Sequence, residues 1–155
     1  MPKLKVGVIG CGWNGRRHAE LYDSMEEAEL IGVCDIIPEA ANRVAQKHGV
    51  KAFNRVEDLT KEPGLEAVSV VSSTHCEPTI IAAEAGKHIL VEVPFAATLK
   101  ECDRMIAAAE KSGVNLMYAQ SDRYKPANMA AKTLIDSGEI GNIIWMTHTQ
   151  LSNGA

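Results

Sequence analysis

The 155 residues, 46% of them hydrophobic, suffice for one compact domain but not for two full ones. A formal net charge of −4, dispersed Lys and Arg and an aromatic content of 5% argue against a phosphate-tracking or base-stacking surface, so no nucleic-acid partner is expected. No apolar stretch approaches the roughly 20 residues that span a membrane, and Met1 to Lys5 lead into a strand-like run without signal-peptide architecture, so no membrane partner and a cytoplasmic location are expected.

Along the chain, strand-like and helix-like segments alternate. Val6-Gly7-Val8-Ile9 is an apolar run of the kind buried on both faces of a parallel sheet. It ends in Gly10-Cys11-Gly12-Trp13-Asn14-Gly15, and a helix is predicted from about Trp13 to Ser24. A bare G-x-G-x-x-G is a weak signal, but between a strand and a helix it has the context the dinucleotide fingerprint needs. Gly10 permits the tight turn, Gly12 lets backbone approach a pyrophosphate, and Gly15 lets the helix pack closely on the strand. The N–H groups and positive end of that helix then face the phosphates. The competing reading is a glycine-rich turn without a ligand.

The second strand-like run, Leu30 to Cys34, ends at Asp35, about 20 residues after Gly15, where the fingerprint places an acid. A carboxylate there accepts ribose hydroxyls and repels a 2′-phosphate. Ile36, Ile37 and Pro38 supply no cation, so NAD is favoured over NADP as cofactor. The other reading makes Asp35 the N-cap of the next helix, whose apolar stripe is Ala41, Val44, Ala45 and His48.

Ala67 to Val71 is the next strand-like run, followed by Ser72, Ser73 and His75 on the expected nicotinamide side. For His75, cofactor contact and loop packing are equally open. His88 to Val91 precedes Glu92-Val93-Pro94. A helix with Leu99, Cys102, Met105, Ile106 and Ala109 on one face follows, with Thr98 as N-cap and Ser112-Gly113 as its stop. Asn115 to Tyr118 is strand-like. A last helix opens after Pro126 and closes near Gly138, and Ile143 to Leu151 reads as a final strand. The four scattered cysteines, Cys11, Cys34, Cys76 and Cys102, form no C-x-x-C pair and read as reduced thiols, mostly core fillers. The fold expected from this alternation is α/β, a Rossmann doubly wound parallel sheet with helices on both faces.

Five ordered segments resemble the N-terminal domain of the glucose–fructose oxidoreductase, inositol dehydrogenase and rhizopine-catabolism (Gfo/Idh/MocA) family. They are Val8 to Gly12 with Gly15-Arg16 and His18-Ala19, Ala85-Gly86-Lys87-His88, Glu92-Val93-Pro94, Arg123-Tyr124-Lys125-Pro126, and Ser137 to Gly141. The resemblance implies an NAD(P)-dependent oxidoreductase acting on a sugar, a polyol or a related hydroxy compound, homo-oligomeric when full length. It also implies a second, α+β domain, opened by the Ile143–Leu151 strand, that supplies much of the substrate pocket and a His acid/base. The expected division is therefore a dinucleotide-binding domain over residues 1–122 and the beginning of a truncated substrate domain over 123–155. By the same resemblance Glu92 is a ribose contact, the alternative being a surface carboxylate at a strand end. Arg123 and Tyr124 line the cofactor cleft, the alternative being an ion pair for Arg123 and sheet packing for Tyr124. His18 and His88 match family positions but read as packing residues. The Val93–Pro94 bond is expected to be cis.

One departure stands out. The family's Glu-Lys-Pro motif places a lysine beside the reacting hydroxyl, where a cation stabilises developing alkoxide and assists proton transfer. Here that position is Val93. No catalytic residue is therefore assigned, and the expected His lies beyond the chain end. The chain reads as the cofactor half of a dehydrogenase and is expected to be inactive alone. The alternatives are a non-catalytic NAD-binding regulatory or sensor module, or a degenerate product. No metal ligands are predicted.

Overall fold

The computed structural model describes residues 2–147 and 149. The chain divides into two compact units, Met1–Ala119 and Gln120–Ala155. The expected boundary stood after Asp122.

The first unit holds β1 (Leu4–Ile9), α1 (Trp13–Ser24), β2 (Ala28–Cys34), α2 (Pro38–His48), β3 (Lys51–Phe53), α3 (Val56–Thr60), β4 (Ala67–Val70), α4 (Cys76–Glu84), β5 (His88–Val91), α5 (Leu99–Ser112) and β6 (Leu116–Tyr118). The six strands form one sheet in the order β3-β2-β1-β4-β5-β6, every neighbouring pair parallel. This is the doubly wound order, with its switch point between β1 and β4. Strand parity sorts the core into two clusters. Val6 and Val8 join Leu30, Val33 and the α1 and α2 residues Ala19, Ala41 and Val44. Val68, Val70, Ile89 and Val91 join Leu59, Met105 and the α4 alanines Ala82 and Ala83. The second set and the β1 pair have the alternation a pleated strand imposes, while Leu30 and Val33 share a face because the β1–β2 register shifts between Val6 and Gly7, skipping Ile31.

Leu59 of α3, fully buried, fills a notch cut by two glycines. A Cβ on Gly7 would lie 3.2 Å from its methyl carbons and one on Gly32 would lie 2.9 Å away.

The helix signals act as expected at α5. Thr98 Oγ1 accepts the Glu101 N–H (3.2 Å) while Glu101 Oε2 accepts the Thr98 N–H (3.1 Å), closing a capping box. Gly113 ends the helix in the left-handed region at φ 67°. Two of its stripe residues depart from expectation. Leu99 is 84% exposed and Ile106 43%. Met105 and Ala109 define the buried line, and at ~100° per residue Leu99 and Ile106 sit about 100–120° round the helix from Met105, on one shared flank.

β3, α3 and α4 carried no usable sequence signal. β3 is three residues long, and α4 (CEPTIIAAE) is apolar around most of its circumference, leaving no stripe to detect. Pro78 sits in its first turn, where its missing N–H costs nothing. Among the described residues no helix is long and apolar enough to cross a membrane.

The second unit opens with a 3-10 turn (Ser121–Tyr124) and α6 (Pro126–Asp136). The strand expected over Ile143–Leu151 does not form in its described part. Ile143 to Thr147 are irregular, and His148, Gln150 and Leu151 lie outside the described residues. A strand is sustained by a hydrogen-bonded neighbour, and among the described residues none pairs with this segment.

Leu59→Ala is expected to lower folding stability by about 2–5 kcal/mol, because the glycine notch is rigid backbone that does not collapse onto the vacated space. A urea melt reads this as a lower midpoint at unchanged slope. A loss below about 1 kcal/mol would show that the notch closes.

Candidate functional site

The carboxyl ends of β1, β2, β4 and β5 meet at the switch point. β1 ends at Ile9 and turns through Gly10 at φ 101°, whose N–H donates to the Cys34 carbonyl (2.8 Å). A Cβ on Gly10 would lie 2.6 Å from the Ser72 nitrogen, so the loop after β4 packs against bare backbone. Gly15 is more constrained, since a Cβ there would lie 1.7 Å from the Gly10 carbonyl oxygen. A Cβ on Gly12 would meet nothing. Gly12 is also the N-cap of α1 and offers no side-chain cap, so the N–H groups of Trp13, Asn14 and Gly15 stand at the mouth of the loop, the arrangement that takes an anion. The three glycines thus have the distinct roles of turn, approach and packing.

Asp35 is bound into this loop. Its Oδ2 accepts the Cys11 N–H (2.7 Å) and its Oδ1 accepts the Ile37 N–H (2.9 Å). Its alternative role as N-cap of α2 is corrected, since the cap is Ile37. Asp35 closes an Asx turn two residues earlier and keeps free lone pairs on both oxygens. A cavity of about 470 Å³ opens beside it, lined by Gly12, Asp35, Ile37, Asn54, Arg55 and Ser72 among others.

Arg55 is the residue that sequence reading missed. Ile36, Ile37 and Pro38 supply no cation, but pairing of β3 with β2 (Cys34 opposite Phe53) carries the next turn, with Arg55, to the same rim. Reading Lys51–Phe53 as a strand would have found it. The guanidinium is exposed and lies 3.5 Å from Glu57.

A second cavity, of about 310 Å³, lies on the other side of the Val71–Thr74 segment, which lines both. Asn14, Ser73, His75, Glu92 and Val93 line it. His75 Nδ1 donates to the Pro94 carbonyl oxygen (2.6 Å), which ties the loop after β4 to the turn after β5 and leaves Nε2 as the acceptor of a neutral ring. The Val93–Pro94 bond in that turn is cis, as expected. Glu92 is held at both oxygens, by the Val93 N–H (2.7 Å) and by His18 Nε2 (3.2 Å). His18 is thus more than the packing residue expected from sequence. His88 accepts the Asn115 N–H at Nδ1 (3.1 Å) and has a structural role.

Trp13 contributes backbone alone to the loop. Its indole is 69% exposed and lines an outer groove between α1 and α2 with Arg16, Arg17 and Arg43. Arg123 belongs to the second unit, where its guanidinium stacks 5.7 Å from the Tyr124 ring centre. Cys11 and Cys34 are buried. Burial, aided for both by the Asp35 charge, pushes each thiol up to about 12.

The fold order, the three glycine roles and the carboxylate at the end of β2 define a dinucleotide-binding Rossmann domain. The family model described as an oxidoreductase family with an NAD-binding Rossmann fold matches residues 4–120, and the chain belongs to that Gfo/Idh/MocA family. Inositol 2-dehydrogenase of Salmonella typhimurium is 31% identical over 98% of this chain and 47% of its own length, so the chain spans about half of that relative. A crystal structure of an NAD binding oxidoreductase from Klebsiella pneumoniae is 31% identical, with a TM-score of 0.81 over 90% of this chain and 40% of that one. A scyllo-inositol dehydrogenase from Lactobacillus casei, solved with NAD(H) and scyllo-inositol, shares the fold at 23% identity and a TM-score of 0.84 over 91% of this chain and 43% of its own.

Gly12→Val is expected to leave the melting temperature within about 2 °C of the parent, since its side chain enters open space, and to weaken NADH binding at least about tenfold. Gly15→Val is expected to lower the melting temperature sharply. Calorimetric titration and a thermal melt separate the two. Intact-mass mapping after alkylation at pH 8 is expected to find Cys11 and Cys34 unmodified and the partly exposed Cys102 modified. A thiol near 12 holds only about one part in ten thousand as thiolate at that pH.

Proposed function

We propose that this chain is the cofactor-holding half of an NAD-dependent dehydrogenase that oxidises a CH–OH group of a polyol or sugar. The observation that carries the NAD preference is the Asp35 carboxylate, anchored by the glycine loop's own N–H and facing the larger cavity. NAD fits the residues present. The open side of Gly12 and the uncapped start of α1 receive the pyrophosphate, Asp35 the adenosine ribose, and Ser72, Ser73, His75, Glu92 and Val93 flank the nicotinamide half. Bound NAD supplies the hydride acceptor. The substrate class follows from relatives named inositol 2-dehydrogenase and scyllo-inositol 2-dehydrogenase (NAD(+)).

Val93 bears on the proton. The smaller cavity is lined by Glu92, Glu101 and His75 but by no Lys or Arg. Both Thr98 and Ala97 N–H groups bind the Glu101 carboxylate, so it serves the α5 cap. The acid/base and the substrate contacts are proposed to belong to the length of the relatives that these residues do not span, the part through which such enzymes would also form homo-oligomers. Val93 equally favours a second reading, an NAD-binding sensor module without catalysis.

Asp35→Asn is expected to weaken NADH binding about three- to tenfold, the worth of a charged hydrogen bond, while NADPH affinity stays level or rises because the repelling charge is gone. Equal losses for both cofactors would reduce Asp35 to a brace of the loop. Reduction of NAD by myo-inositol, measured on a form carrying the full length of the relatives, separates enzyme from sensor, since a sensor binds NADH and transfers no hydride.

A further inference from the structure

A connected set of polar side chains lies between α1 and the sheet. Ser69 stands on β4 and is fully buried, at a position where both neighbours in sequence, Val68 and Val70, point to the opposite core cluster. A buried hydroxyl is tolerated where it is satisfied, and Ser69 Oγ has two partners, Tyr22 Oη at 2.9 Å and His18 Nδ1 at 3.0 Å. His18 and Tyr22 are one turn apart on α1 with their rings edge to face at 6.3 Å. The far ring nitrogen, His18 Nε2, reaches Glu92 Oε1 at 3.2 Å.

The chemistry of each group gives the set a direction. A carboxylate only accepts, so His18 Nε2 carries a hydrogen and donates to Glu92. In the neutral ring Nδ1 then accepts from the Ser69 hydroxyl, and the Tyr22 hydroxyl donates to Ser69. Burial pushes the Tyr22 phenol up, against a smaller opposite pull from Ser69, so that donor stays protonated at neutral pH. Among the described residues His18 is the one ion-pair partner of Glu92, and the two side chains are 14% and 22% exposed. With its second oxygen on the Val93 N–H, the carboxylate is held at two points beside the smaller cavity and retains a free lone pair on each oxygen.

We propose that His18, backed by Ser69 and Tyr22, is a positioning residue that locks the Glu92 carboxylate to receive the hydroxyls of the nicotinamide-side ribose. The inference rests on the dinucleotide reading above. Glu92 then loses no rotational freedom when the cofactor enters, which is how a rigid supporting shell raises affinity.

Calorimetric titration of the protein with NADH and with ADP tests it, because ADP occupies only the adenosine and pyrophosphate side. His18→Phe is expected to weaken NADH about tenfold, equivalent to about 1.4 kcal/mol, and to leave ADP within about twofold. His18→Gln, which returns an N–H donor, is expected to recover most of the loss. Ser69→Ala, which frees the ring but keeps the donor, is expected to cost NADH about threefold, a part of the His18→Phe loss. Glu92→Gln is expected to weaken NADH, and adding His18→Phe to it is expected to weaken NADH no further, since the two residues act as one unit. Equal losses for ADP and NADH would make His18 a support of α1 and overturn the proposal, as would additive losses in the double variant or NADH binding indifferent to His18→Phe. A parent protein that binds ADP but not NADH, or neither, would overturn the dinucleotide reading and the proposal with it.

Discussion

Gly15 leaves the least room of the described glycines, since a methyl group there would lie 1.7 Å from the Gly10 carbonyl oxygen. It sets how near the start of α1 comes to the end of β1, and most of the site follows from that distance. With α1 held this low, Ala19 is completely buried against Val6 and Val8. His18 and Tyr22, which flank Ala19 on the same helix, then come within hydrogen-bond reach of a serine on β4. The same approach puts the first turn of α1 between the two cavities that Val71 to Thr74 separate, since Gly12 lines one and Asn14 the other. A side chain at position 15 would tilt the helix away and disperse all of these contacts together.

Two carboxylates stand at strand ends on either side of this helix start, and they are built alike. Asp35 after β2 and Glu92 after β5 each accept one backbone N–H from the segment that follows them. Each is then fixed by a second donor from the glycine loop or α1, the Cys11 N–H for Asp35 and the His18 ring for Glu92. A carboxylate has about four acceptor sites, so this pattern orients the group and leaves sites free. Two oriented acceptors on opposite sides of a cationic helix end suit a ligand with a diol at each end and phosphates in the middle.

Much of this was legible in the sequence because it is local. Glycine spacing after a strand, an acid at the end of the next one, and the Thr98–Glu101 capping box depend on residues close in the chain. The parts that were not legible depend on packing across the sheet. Ser69 gives no sign of facing α1 until β4 has a register against β1 (Val8 opposite Ser69). Arg55 reaches the cavity rim through a three-residue strand too short to carry periodicity. Leu99 and Ile106 were placed in the core stripe because an apolar residue every three or four positions fits more than one face of a helix, and only the position of Met105 against the sheet selects the buried line. Ile143 to Thr147 have a strand-like local pattern, but a strand needs a hydrogen-bonded partner, and among the described residues none pairs with them.

The charge around the smaller cavity shows what kind of half-site this is. An alkoxide developing there would meet Glu92, whose oxygens are committed to a backbone N–H and to His18. It would meet the Val93 side chain, which carries no charge, and His75, whose Nδ1 hydrogen is spent on the Pro94 carbonyl. The wall holds no cation for such an anion, and its remaining side-chain donors are the neutral groups of Asn14, Ser73 and Thr74. The carboxylate in the same wall, fixed at both oxygens, can accept hydroxyl hydrogen bonds on its free lone pairs. Residues 1–119 thus present at this cavity a fixed carboxylate and no cation. Val93 adds no charge to this wall, and none of the residues lining the cavity is a lysine or an arginine.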